Sequence, residues 1–319
     1  MLQPHDAVAT PWGAQSPEAR AIADLFTQTL GICAVIFVIV AGLVGYCAVK
    51  FRERPDASGG QKEPDQIEGH KRLEIAWTLA PLLVVLGLFA LTARTMAATD
   101  PPADRAPDVT VIGHQWWWEA RYPSGVVTAN EIHILAGKPW LVGVEAADVI
   151  HDFWVPALAR KIDATPGHPT HVWMQADVPG RYGGACAEYC GSQHAWMRIV
   201  VVADAPADFE AWQRGQSAVA TAPASDAAAR GAALFTSKTC VQCHAIETSP
   251  TAPRPSVAPD LTHLASRRTL AAGLLDNTPE SLARWLRDPQ SIKPGSHMPS
   301  LKLTDAEATD LVAYFGGLP

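Results

Sequence analysis

Sulfur-bearing side chains are scarce in this chain: its 319 residues include only six cysteines and five methionines. So few thiols exclude a disulfide-framework fold, and every thiol or thioether becomes a position worth locating. Charge is also sparse, at 18% Asp, Glu, Lys and Arg with a net charge of −7. No basic excess is available to hold a phosphate backbone, so no nucleic-acid partner is expected. No fixed-period repeat is present, which excludes solenoids and propellers. The 29 residues ahead of the first long apolar run hold a single Arg and no Lys. A cleaved leader has its apolar core behind basic residues, so this run reads as a retained segment.

What the chain does have begins with two charge-free apolar runs, Leu30 to Val49 and roughly Ile75 to Ala93. Each approaches the ~20 residues that cross a hydrocarbon core as a helix. Lys50, Arg52, Arg54, Lys62, Lys71 and Arg72 lie between them. Short basic loops stay cytoplasmic, which places the N-terminus and everything after Thr95 on the outer side. A buried hairpin of a soluble protein is the competing reading. Cys33 and Cys47 fall within the first span and read as apolar packing.

From Asp108 to about Ala203 the sequence alternates apolar and polar residues in short β-branched stretches broken by Gly, Pro and Asn, predicting a β-sandwich or small barrel. Examples are 109–118, 126–135, 140–145, 171–176 and 197–202. Residues 215–226 are small and polar, which marks a linker. Beyond it, 227–235, 279–287 and 304–315 have helical character, the last two behind the N-cap-type Thr278 and Thr304.

Four donors crowd into twelve residues: Cys186, Cys190, His194 and Met197. Thiolate and thioether favour Cu(I), while imidazole accepts both copper oxidation states, so the set points to one-electron chemistry. His151, at the end of a strand-like stretch, supplies a second imidazole. A disulfide between Cys186 and Cys190 and a structural Cys2His2 zinc remain open, although neither accounts for Met197. In Gly113-His-Gln-Trp-Trp-Trp118, read as one strand, three adjacent tryptophans cannot all face one core, because strand side chains alternate. At least one should lie at a surface.

His151 together with Cys-x-Glu-x-Cys-x-x-x-His-x-x-Met resembles the copper A centre of subunit II of the haem-copper cytochrome c oxidases, over the stretch from the first span to about Val202. The resemblance implies a cupredoxin-like Greek-key sandwich holding two copper ions. Cys186 and Cys190 would bridge them, His151 and His194 would be terminal imidazoles, and Met197 a weak ligand. Glu188 would bind copper through its carbonyl and face a magnesium site at the interface with the catalytic subunit. It also implies that Trp116 admits electrons and that Glu74, in Leu73-Glu-Ile-Ala-Trp-Thr78, opens a proton-uptake route. Lys161 to Gly167 resembles a loop that helps dock cytochrome c, with His168 standing where the family has Arg.

Cys240-Val-Gln-Cys243-His244 is the attachment sequence of a covalently bound haem c, with His244 as proximal imidazole; a thioredoxin-like reading would need a βαβ context. Of the five methionines only Met298 lies in this part of the chain, so it is the expected sixth ligand, with His263 and His297 as alternatives. The segment resembles a class I cytochrome c through Gly231, Phe235, Tyr314 and Ala258-Pro-Asp-Leu261, where Ala258 replaces the family's Gly.

The order of parts resembles a caa3-type subunit II. The implied organisation is an outer tail (1–29), a transmembrane hairpin (30–95) with a cytoplasmic loop (50–73), a copper A domain (100–213), a linker (214–226) and an all-α cytochrome c domain (227–319). The implied function is electron input to a respiratory oxidase in a bacterial plasma membrane, with both redox domains outside. Electrons would come from cytochrome c, and oxygen reduction with proton translocation would occur in a partner, subunit I, accompanied by subunit III. Acidic residues outnumber basic ones between Asp100 and Gly215, a field suited to a basic donor. A copper A subunit of a nitric oxide reductase and a stand-alone membrane-tethered carrier are the rivals. A quinol oxidase subunit would lack these ligands.

Overall fold

The structure, a computed structural model, describes residues 12–52, 66, 68–100, 103–247 and 257–319. Arg54 and Lys62 of the basic connector and the first eleven residues of the tail lie outside these. The chain divides into two units, Ala21–Ala98 and the remainder.

The smaller unit holds α1 (Pro17–Lys50) from Ala21 onward and α2 (Lys71–Thr99) up to Ala98. Ser16 starts α1 by accepting the Ala19 N–H at 2.8 Å, and Pro17 at the first helical position lacks only an N–H that would be unpaired anyway. At 1.5 Å per residue, its 34 residues make about 51 Å of helix, more than a hydrocarbon core requires. Both helices are long and apolar enough to cross a membrane, and Phe37, Leu43, Leu83 and Phe89 point outward from them. Outward-facing apolar side chains along the full length suit lipid contact, not a soluble core.

The larger unit contains a ten-stranded β domain and a helical domain. The strands are β1 (Val109–His114), β2 (Trp117–Arg121), β3 (Val127–Ala129), β4 (Glu131–Leu135), β5 (Trp140–Ala146), β6 (His151–Trp154), β7 (Ile162–Ala164), β8 (Thr170–Met174), β9 (Gly180–Cys186) and β10 (Arg198–Asp204). They form two five-stranded sheets, ordered β3-β2-β1-β5-β8 and β4-β10-β9-β6-β7. Val109, Val111, Trp118, Val142 and Val144 from the first sheet share one buried cluster with Ile132, Phe153, Ile199 and Val201 from the second. This is the sandwich expected from the alternating pattern, with the cupredoxin-like form that the resemblance implied.

The stretch 126–135 divides between the sheets. Asn130 turns at φ 62°, in the left-handed region that Asn tolerates, and its side-chain oxygen accepts the Trp118 N–H at 2.9 Å. α3 (Pro206–Gln216) follows β10. Its Phe209 and Trp212 cap the sandwich, with Trp212 stacked on His133 at 4.1 Å and Phe209 edge-on to Trp140 at 5.5 Å.

The helical domain comprises α4 (Asp226–Ser237), α5 (Pro279–Arg287), the single turn α6 (Pro289–Ile292) and α7 (Asp305–Phe315). Thr278 caps α5, and Thr304 with Glu307 forms a full capping box on α7. α4 and α7 cross at Gly231, where a Cβ would collide with the Asp310 carbonyl and stand 2.7 Å from the Tyr314 Cβ. Only glycine permits that approach. Phe235, Leu264, Leu282, Leu286, Leu311 and Phe315 are buried together behind the crossing.

Candidate metal and haem centres

His151 opens β6, Cys186 ends β9, and His194 begins the short turn that delivers Met197 to the start of β10. The two thiols stand 3.8 Å apart, well beyond the ~2.0 Å of a disulfide. His151 Nδ1 lies 3.9 Å from the Cys186 sulfur, and the Glu188 carbonyl 3.2 Å from it. His194 Nδ1 and the Met197 sulfur lie 3.7 Å and 3.8 Å from the Cys190 sulfur. Two donors at about 2.3 Å from one ion with a tetrahedral angle are about 3.8 Å apart, so these are the spacings of atoms that share metal ions. His151 and Met197 are fully buried and both cysteines nearly so.

The thiols affect one another strongly. The hydrogen bond from Cys190 holds Cys186 well below the usual thiol range despite burial, and His151 adds to this. The same pairing, with burial, pushes Cys190 up. A cluster that stabilises one thiolate and penalises a second calls for added positive charge, which metal ions provide.

Asp148, which the sequence did not mark, orients the cluster. Its carboxylate accepts from His151 Nε2 at 2.8 Å, the Gln115 N–H at 2.7 Å and the Val149 N–H at 2.6 Å. A proton held on Nε2 leaves Nδ1 as the free donor, facing Cys186. Burial opposes the charged form of His151, but Asp148 and Cys186 together raise its pKa. Gly113 supplies the room: a Cβ there would come within 2.7 Å of the His151 ring.

The segment 113–118 is not one strand. β1 ends at His114 and β2 begins at Trp117, leaving Trp116 in the connection between them. None of these three tryptophans is left at a surface, with Trp116, Trp117 and Trp118 exposed by 7%, 8% and 0%. Trp118 packs against His151 and Phe153 inside the sandwich. Trp117 and Trp116 face the helical domain, against Ala272 and the His297 ring respectively. Alternation reports only the faces of one sheet, and here a second domain covers the outer tryptophans. Trp116 Nε1 and Gln115 Nε2 both donate to the Cys190 carbonyl, at 3.0 Å and 2.8 Å.

In the helical domain, Cys240 to Gln242 form a short turn, and the His244 N–H bonds the Cys240 carbonyl at 2.9 Å. His244 Nδ1 donates to the Pro259 carbonyl at 2.7 Å, which leaves Nε2 free for a metal. Burial lowers the pKa of this imidazole, favouring the neutral form that can ligate. Met298 and Cys240 pack against the same buried cluster. Gln290, also unmarked in the sequence, braces the Met298 loop by donating to the Ser296 and Met298 carbonyls, both at 2.8 Å, while accepting the Gly295 N–H. His263 Nε2 is engaged by the Ala218 carbonyl at 2.9 Å, and His297 lies against Trp116.

Glu188 directs its carboxylate outward, where it accepts the Tyr189 N–H at 3.1 Å. Glu74 sits in the first turn of α2 and accepts the His70 N–H at 3.3 Å.

Three family models match: "Cytochrome C oxidase subunit II, transmembrane domain" over residues 11–93, "Cytochrome C oxidase subunit II, periplasmic domain" over 126–204 and "Cytochrome c" over 228–318. The chain is 35% identical to cytochrome c oxidase subunit 2 of Alkalihalophilus pseudofirmus, across 95% of this chain and 89% of that one. It is 32% identical to the Bacillus subtilis protein of the same name, across 86% and 81%. A solved structure, the periplasmic domain of subunit II of cytochrome oxidase of Bradyrhizobium japonicum, is 32% identical, covering 36% of this chain and 94% of that one with a TM-score of 0.33.

Proposed function

The chain belongs to the cytochrome c oxidase subunit II family, and we propose below how its residues serve that role. It is the electron-input subunit of a haem-copper oxidase, a component of that oxidoreductase which associates with other oxidase subunits and is anchored in a membrane. The fused C-terminal domain fits the caa3 type, and the two matched redox domains are of the kinds that carry copper A and haem c.

The observation that carries the assignment of residues is the donor set itself. Two thiolates, two imidazoles, one thioether and one carbonyl are six donors, enough that they would hold two copper ions between them, whereas a single zinc would leave two donors unused. His151, Cys186, Glu188 through its carbonyl, Cys190, His194 and Met197 would hold the copper pair. Cys240 and Cys243 would tether haem c, with His244 and Met298 as axial ligands. When bound, these groups supply reversible one-electron storage. The chain's own contribution is rigidity: Asp148 and the Pro259 carbonyl fix the two imidazole tautomers, and the sandwich core keeps water from His151 and Met197.

Trp116, hydrogen-bonded to the Cys190 carbonyl, would relay electrons into the copper site. The exposed Glu188 carboxylate would meet magnesium at the boundary with subunit I, and Glu74 would open the proton-uptake route. Subunit III and a soluble or membrane cytochrome c complete the expected partners. The location is a bacterial plasma membrane with both redox domains outside, which the basic connector supports. The named relatives are oxidase subunits, which favours oxygen over nitric oxide as terminal acceptor. Mild detergent extraction should yield the chain with a large haem-bearing subunit, in a complex that consumes oxygen when fed reduced cytochrome c. Isolation of the chain alone, or consumption of nitric oxide instead of oxygen, would refute this reading.

A further inference from the structure

Lys293 does not behave as an ordinary surface lysine. It follows α6 in the helical domain, only 4% of it is exposed, and no carboxylate pairs with it among the described residues. Its Nζ donates to the Trp116 carbonyl at 2.9 Å, the Trp196 carbonyl at 3.2 Å and the Ala271 carbonyl at 3.3 Å. The first two belong to the β domain and the third to the helical domain, so one ammonium joins both. An ammonium has three donors and no acceptor, and here each donor has a carbonyl. Burial lowers its pKa to about 8.

The residues after Lys293 lead directly to the proposed haem ligand. The Pro294 carbonyl accepts from Gln193 Nε2, and Gly295 packs beside Ser192. The His297 ring lies 5.0 Å from the Trp116 ring, and His297 is bonded to Met298. On the other side, Trp116 Nε1 donates to the Cys190 carbonyl at 3.0 Å. The atoms therefore run from Met298 through His297 to Trp116 and Cys190, crossing one ring contact and one hydrogen bond.

We propose that Lys293 is a positioning residue that latches the Met298 loop of the helical domain onto Trp116 of the β domain, fixing the route by which electrons pass within the chain. This rests on the functional reading above. With Trp116 covered, an external donor would deliver to the helical domain and reach copper only through the latched contact.

The latch can be tested in the detergent-solubilised full complex with Lys293→Met, Lys293→Gln and Lys293→Arg. Two readouts are required: amide hydrogen exchange in peptides covering 115–118 and 294–298, and the rate of copper reduction after pulsed reduction of haem c. Lys293→Met leaves buried carbonyls without donors, so exchange in both peptides should accelerate about ten-fold or more. Copper reduction should slow by a similar factor, with haem and copper spectra unchanged. Lys293→Gln, which keeps two N–H donors, should show the same change at smaller amplitude even where the Met variant assembles poorly. Lys293→Arg should recover most of both. Wild-type exchange and wild-type transfer in the Met or Gln variant would overturn the latch. A wild-type complex without copper A absorption would instead overturn the functional reading on which it rests.

Discussion

An Asp148→Asn chain should bind copper more weakly by one to two orders of magnitude while retaining its fold. The carboxylate accepts three hydrogen bonds, from His151 Nε2, the Gln115 N–H and the Val149 N–H. Asparagine has one acceptor oxygen and an amide that donates, so at least one partner must face a donor. The partner at greatest risk is His151, whose bond is charge-assisted and fixes which ring nitrogen faces the thiolates. Losing a hydrogen bond to a charged group costs about 1.5–3 kcal/mol, and a ten- to hundred-fold affinity loss corresponds to about 1.4–2.7 kcal/mol, so the two estimates agree. Competition with a calibrated copper chelator, followed through the copper A absorption, measures the change. Asp177→Asn is the control, because Asp177 touches none of the proposed ligands and pairs with Arg20. Affinity within two-fold of wild type for Asp148→Asn would refute the claim that this carboxylate sets the His151 tautomer.

Met298→Ala should lower the haem midpoint potential and let small external ligands reach the iron, because an axial thioether raises the potential. An unchanged potential in redox titration would point back to His263 or His297. Gly231→Ala should destabilise the helical domain by about 1–3 kcal/mol, since the new methyl meets the Asp310 carbonyl and Tyr314. Thermal unfolding followed at the haem band checks this, and an unchanged midpoint would refute the close α4–α7 crossing. Glu307 is held at about 2, first by the Lys238 ion pair and then by the Thr304 N–H, against the usual 4.5. A depressed carboxyl stabilises the fold above its unfolded pKa, and that contribution is lost as pH falls from about 4.5 toward 2. Unfolding midpoints of Glu307→Gln should therefore fall less steeply than wild type across that window, and parallel slopes would contradict the assignment.

What could be read from the sequence depended on how locally each feature is encoded. Cys186, Cys190, His194 and Met197 lie within twelve residues, so their spacing alone marks a soft-donor set suited to copper, and the structure brings them within reach of His151. The helices α5 and α7 carry their own start signals in Thr278 and Thr304. Asp148 and Gln290 gave no comparable signal, because each acts through hydrogen bonds to backbone or to a side chain that the fold brings near. α3 is hard to read from the sequence although Pro206 starts it and Phe209 and Trp212 lie one helical turn apart, because its polar remainder resembles the linker that follows. The break at Asn130 was lost within a run whose alternation continues on both sides of it. The three tryptophans show the largest gap. Periodicity describes one element against one core, and here a second domain covers Trp116 and Trp117.

On the proposed route, electrons would enter through haem c and reach the copper site within one chain. Anaerobic stopped-flow mixing of the oxidised complex with substoichiometric reduced cytochrome c follows the haem c and copper A bands separately. Haem c should be reduced first, and copper A should follow as haem c reoxidises. Copper A reduced directly, while haem c stays oxidised, would contradict it.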